Sequence, residues 1–173
     1  MVDYATLYRI TDLEGYTPHV SRLISMMNYA RHTTLDAVKG LTAEQLDYLP
    51  TPQSNSIGML LMHFAAVDYF YRVFTFEERE PDEEELERWG PALDLGDTGR
   101  AAIKGHDLDF YVKLLEETRA ETLERFKTVD DEWLHREMPF WGKQPANHYF
   151  MWFHVFEDEI NHRGQIRIMK KQL

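Results

Sequence analysis

The sequence predicts an all-α protein, a four-helix bundle with short extra helical turns in its connections. Three observations predict it. Four segments repeat apolar side chains with a helical period, glycine and proline punctuate the stretches between them, and no convincing β-alternation or internal repeat is found. The chain has 173 residues, of which 43% are hydrophobic. That length suits a single domain, 1–173, with enough apolar side chains to build a core without disulfide staples. Helices of about 20 residues are about 30 Å long, and four of them pair naturally into a bundle.

The first helix opens at Thr17 with Pro18 in its first turn and runs to near Gly40. A threonine cap followed by proline suits a helix start, and glycine suits its end. Val20, Leu23, Ile24, Met27, Leu35 and Val38 mark its apolar face. Residues 41–49 read as a short helical turn, with Thr42 and Gln45 spaced as a capping box. Ser54, Asn55 and Ser56 offer caps for the second helix, residues 57–76. Residues 77–88 hold eight acidic side chains and read as a solvated loop or helix end. They lack the glycine turn and alternating oxygens of a calcium loop. Residues 90–105, with four glycines and Pro91, read as a long loop able to cover a pocket. Asp107 opens the third helix, residues 108–128. The fourth covers residues 146–171 and closes in Arg167, Lys170 and Lys171, cations that favour a helix C-terminus.

Charge and composition narrow the function classes. Nineteen basic residues against thirty acidic ones give a formal charge of −11. Binding to a phosphate backbone or an anionic membrane usually needs the opposite balance, so neither nucleic acid nor membrane is an expected partner. The absence of cysteine removes disulfides, thiolate metal sites and a cysteine nucleophile, and accords with a cytoplasmic location. No run of 18 apolar residues occurs, and the first residues lack a basic start followed by an apolar stretch, so no signal peptide is expected.

Polar residues on apolar stripes carry the chemical information. At about 100° per residue, Met151, Val155, Ile166 and Met169 fall within about 80° of Asp158 on the fourth helix. His154 and His162 share that face. On the second helix, His63 lies among Met59, Leu60, Val67, Phe70 and Phe74. An ionised carboxylate on a buried stripe costs several kcal/mol unless paired. Asp158 and His162 are four residues apart, about 6 Å of rise, so their heads can meet at one point. With His63 from a facing helix, two imidazoles and a carboxylate would surround a divalent transition metal and leave positions open. A buried hydrogen-bond network satisfies the same pattern. His154 and His162 are about 12 Å apart along the axis, too far to share an ion. The pair is then 154/158 or 158/162, and spacing alone leaves both open.

Residues 56–70, SIGMLLMHFAAVDYF, followed by HVFEDEINHRGQI at 154–166, resemble the DinB/YfiT-like superfamily of metal-binding four-helix bundles. The resemblance covers nearly the whole chain. In that superfamily a second-helix histidine and an H-x-x-x-H pair on the last helix hold one divalent ion, commonly nickel or zinc. Position by position, this implies His63, Asp158 and His162 as ligands, with His154 beside them. Asp158 departs from the pattern, because many members carry histidine there, and a harder oxygen shifts metal preference. The resemblance also implies activation of a low-molecular-weight thiol such as bacillithiol or mycothiol, making an S-transferase, or of water, making a hydrolase. The alternatives are a metal- or small-ligand-binding module without turnover and a metal-free helical interaction protein.

Weaker candidates surround this set. Arg31 falls in the first helix's core stripe, where it would bind an anion, balance a buried acid or, most simply, snorkel to the bundle end. Glu157, Glu159 and Asn161 flank the ligands but are turned from Asp158 by helical phase. Trp141, His148 and Tyr149 stand at the last helix's entry, where they would line a pocket or pack in the core. Gln165 is phased toward the site, and Gly164 suits a close helix approach. The opposite face of the fourth helix carries Tyr149, Phe153, Phe156 and Ile160. A helix apolar on two sides is covered on two sides, by a second copy in a homodimer or else by a loop or residues 1–15.

Overall fold

A computed structural model describes the backbone of residues 4–173 and the side chains from Thr6 onward. It is mostly helical, in the order α1 (Tyr4–Leu7), α2 (Pro18–Val38), α3 (Ala43–Asp47), α4 (Ile57–Phe76), α5 (Glu83–Asp94), α6 (Gly96–Ala102), α7 (Leu108–Phe126), α8 (Asp131–Leu134), β1 (Glu137–Pro139), β2 (Pro145–Asn147) and α9 (His148–Lys170). The four long helices contact one another in a closed circuit, α2 on α9, α9 on α4, α4 on α7 and α7 on α2.

The caps explain why these helices begin where they do. Ser56 accepts from the Met59 amide, Asp107 from Phe110 and Asn147 from Phe150, each satisfying an amide that the helix itself cannot. The Thr42–Gln45 capping box is formed in both directions. Thr17 differs. Its hydroxyl donates to Asp131 Oδ1 at 2.5 Å, and the same oxygen accepts from the amides of His19 and Val20. The first turn of α2 is therefore capped by a carboxylate from α8.

Two expectations fail. Residues 90–105 are largely helical rather than a loop. Asp82 and Glu85 form a capping box, three acids occupy the first turn of α5, and Trp89 and Ala92 are buried. These outweigh Pro91 inside the helix. Gly99 of α6 is a contact residue, since a β-carbon there would stand 2.8 Å from Met59 Cε and 3.0 Å from the Pro91 carbonyl. A small antiparallel hairpin also occurs where the sequence predicts no strand, pairing Glu137 with Asn147 and Pro139 with Pro145.

The apolar faces pack as the periodicity requires. Val20, Leu23, Ile24, Met27 and Val38 of α2, and Met151, Val155, Ile166 and Met169 of α9, are buried. Gly58 of α4 admits Tyr111 of α7, whose hydroxyl would lie 2.6 Å from a β-carbon at that position. α4 is long and apolar enough to cross a membrane by length and composition, and most of it is buried within this protein. On the outer face of α9, Phe156 is buried while Phe153 and Ile160 stay exposed. Leu7, Tyr8 and Ile10 line a groove with Phe156 and Ile160, so part of residues 1–15 stands beside that face. Residues 1–3 lie outside the described residues.

Candidate metal centre

α4 and α9 place His63, Asp158 and His162 together, with one ligand-type atom from each lying within 4.8 Å of the others. His63 Nε2 is 3.2 Å from Asp158 Oδ2, and His162 Nε2 is 3.4 Å from Asp158 Oδ1. The two imidazole rings meet edge to face at 5.1 Å. Their side chains are 11%, 17% and 18% exposed in chain order, so the cluster is sheltered but reachable.

The position of His63 is fixed from an unexpected direction. Its Nδ1 lies 2.8 Å from the carbonyl oxygen of Ala92 in α5. A carbonyl only accepts, so Nδ1 carries the hydrogen and Nε2 is directed to the cluster. α5 is in turn anchored by Trp89, stacked on Tyr69 at 5.1 Å, and by Glu85, which accepts from the Tyr69 hydroxyl and from Arg79. Sequence reasoning missed Ala92 because the working atom belongs to the backbone.

The donor set fits a divalent ion. A tetrahedral ion with bonds of about 2.1 Å separates neighbouring ligand atoms by about 3.4 Å, and the two His–Asp separations, one to each carboxylate oxygen, are of that size. Asp158 Oδ2 is buried and makes no hydrogen bond, although His63 Nε2 stands 3.2 Å away; with the His63 hydrogen on Nδ1, two lone pairs face each other there, an arrangement that a cation relieves. Burial alone would push the Asp158 carboxyl up, but the two histidines outweigh it and hold its pKa well below the ordinary carboxylate value. Burial pulls His162 down, and Asp158 beside it more than compensates, leaving the imidazole raised.

His154 stands apart from the triad. Its Nδ1 lies 3.0 Å from Glu157 Oε2, and its ring meets Tyr71, Trp141 and Phe150. Burial, with Asp158 adding to it, pushes the Tyr71 hydroxyl up, so it stays protonated. Gln165 makes a polar side-chain contact with His162. Gly164 is exposed, and a β-carbon there would meet nothing, so it serves no close helix approach.

Glu159 belongs to a different, buried network. Arg31 binds it through Nε at 3.0 Å and a terminal nitrogen at 3.1 Å, and also donates to the Leu115 carbonyl. Arg31 thus balances a buried acid and does not snorkel. Nearby, Arg119 Nε donates to Asp68 Oδ2 at 2.6 Å, and Thr122 donates to Asp68 Oδ1. The signal that could have found Asp68 is its standing as the lone acid in the apolar α4 sequence. His148 is buried against Trp133 at 4.3 Å, and burial lowers its pKa.

The chain matches the family model for mycothiol S-transferase over residues 22–173. It belongs to that family. The match spans most of the chain and places it in the DinB/YfiT-like superfamily, as the resemblance implied. Comparison with curated proteins gives no match. Membership of the mycothiol S-transferase family points to thiol transfer, the branch of the expected chemistry in which a low-molecular-weight thiol is the nucleophile.

Proposed function

We propose that this protein is a metal-dependent thiol S-transferase of the DinB-like type. It acts as one cytoplasmic domain, residues 1–173, built as a four-helix bundle. His63, Asp158 and His162 hold one divalent ion, zinc or nickel, and a mycothiol-class thiol is the cosubstrate. The observation that carries this reading is the convergence of three ligand-type side chains in a chain of the mycothiol S-transferase family.

His63, Asp158 and His162 would hold the ion, which would lower the pKa of a bound thiol and so supply thiolate near neutral pH. The protein's own groups do the rest. The Ala92 carbonyl holds the His63 ring with its Nε2 toward the cluster. Asp158 stays ionised and offsets cationic charge at a partly buried site. The chain has no cysteine, so it forms no mixed disulfide with its cosubstrate and the sulfur comes from outside. Phe153 and Ile160, exposed on the outer face of α9, support a homodimer through that face.

The test combines metal analysis with turnover. The purified protein should carry about one zinc or nickel per chain, and His162→Ala should lose it. Mycothiol should be consumed with an electrophilic acceptor, and chelation should abolish that rate. Full metal content in His162→Ala overturns the ligand assignment, and a rate indifferent to chelation overturns metal dependence.

A further inference from the structure

The seam between α4 and α9 continues beyond the triad. The helices run antiparallel there, with His63 opposite Asp158 and His162, and Tyr71 opposite His154. The tip of the hairpin straddles this seam. Phe140 meets Tyr71 at 6.1 Å and Phe74 at 6.5 Å on α4, while Trp141 stands edge-on to His154 of α9 at 5.0 Å. Phe140 and Trp141 stack at 4.6 Å. Beside them opens a cavity of about 470 Å3, lined by Phe140, Trp141 and Phe150 together with hairpin residues. That volume accommodates a small organic group.

Trp141 is 65% exposed, so it is not placed there to fill the core. His154, which it touches, is one helical turn from Asp158. His154 lies about 6 Å of helical rise from Asp158, and the Trp141 ring stands 5.0 Å from the His154 ring. Stacked rings offer a flat apolar group a large contact at little conformational cost.

We infer that this hairpin cavity seats an aromatic group of the acceptor substrate, which is an extended arylalkyl electrophile with its reactive carbon at the triad. Trp141 and Phe140 are its specificity determinants. The inference rests on the thiol-transfer reading above and adds the acceptor's chemical class. In the transfer, the thiolate sulfur bonds to the electrophilic carbon, the carbon–halogen pair leaves as halide, and the thiol proton passes to solvent.

The test compares two chloromethyl ketones with mycothiol and the metal-loaded protein: 1-chloro-5-phenylpentan-2-one and 1-chloropentan-2-one, which differ only by the ring. The phenyl compound should have the higher kcat/KM. Trp141→Ala and Phe140→Leu should each lower that preference by about three- to tenfold, the range an aromatic contact supplies. Phe110→Ala, an exposed aromatic on α7, should leave it unchanged. Equal kcat/KM for the two ketones, or a preference indifferent to both hairpin variants, overturns the inference. If neither ketone is turned over, the transferase reading fails. Saturation-transfer NMR with 5-phenylpentan-2-one then decides the cavity separately. Saturation reaching the phenyl protons from the wild type but not from Trp141→Ala supports it. No transfer from the wild type, or equal transfer from both proteins, overturns it.

Discussion

His63 Nδ1 and the Ala92 carbonyl oxygen are 2.8 Å apart, which makes α5 part of the candidate metal centre although it contributes no ligand. Loosening α5 should therefore be felt at the ion. Trp89→Leu removes the ring stacked on Tyr69 and should weaken zinc affinity about tenfold, the lower end for losing a ligand's hydrogen-bond partner. Competition titration against a chelator reads this, and circular dichroism confirms that the helices persist. An unchanged affinity would mean that α5 only covers the site.

Asp158 sets the hardness of the donor set. Asp158→His should retain an ion and shift preference toward nickel and zinc over manganese, because imidazole replaces carboxylate oxygen. Asp158→Ala should lose most bound metal. Elemental analysis after dialysis against equimolar mixed metals measures both.

Arg31 and Glu159 form a forked pair whose side chains are 11% and 1% exposed. Arg31→Met leaves the buried Glu159 carboxylate with only the long contact to Arg119, 4.0 Å away, and should cost about 3 kcal/mol of stability in urea unfolding. The double variant Arg31→Met, Glu159→Leu should recover most of that loss. Recovery would separate the cost of an unpaired charge from the loss of packing.

Glu85 gives the acid limb of the stability profile a structural origin. Hydrogen bonds from Arg79 and Tyr69 lower its pKa from 4.5 to about 2. A carboxylate depressed in the folded state binds protons more readily when unfolded, so its stabilisation is full above pH 4.5 and fades as pH falls toward 2. Glu85→Gln should be less stable than wild type at neutral pH, and the gap in melting temperature should close across that window. A gap constant with pH would assign the effect to packing.

Gly58 faces the Tyr111 hydroxyl at a distance that leaves no room for a methyl group. Gly58→Ala should destabilise by about 1–3 kcal/mol through overpacking of α4 on α7, despite alanine's better helix propensity. Tyr111→Phe in the same background should restore part of the loss.

Much of this architecture is legible because its signals are local. Ser56, Asp107 and Asn147 cap helices whose apolar faces repeat over many turns, and His63, Asp158 and His162 stand out as polar groups on greasy stripes. The hairpin is not legible, since three-residue strands are too short for alternation to register. The α5–α6 region misleads because Gly90, Pro91, Gly96 and Gly99 read as loop punctuation. Gly99 serves close packing against Met59, a tertiary requirement that only the folded neighbours reveal. Periodicity puts Arg31 on the right stripe but not with its partner, because Glu159 lies on a different helix, more than a hundred residues away in the chain.

The capping of α2 by Asp131 also bears on the order of assembly. The opening amides of a helix near the start of the chain find their acceptor only when a carboxylate 112 residues downstream of His19 arrives. This cap therefore exists only where α8 is docked against the start of α2, which ties the two ends of a 112-residue span together.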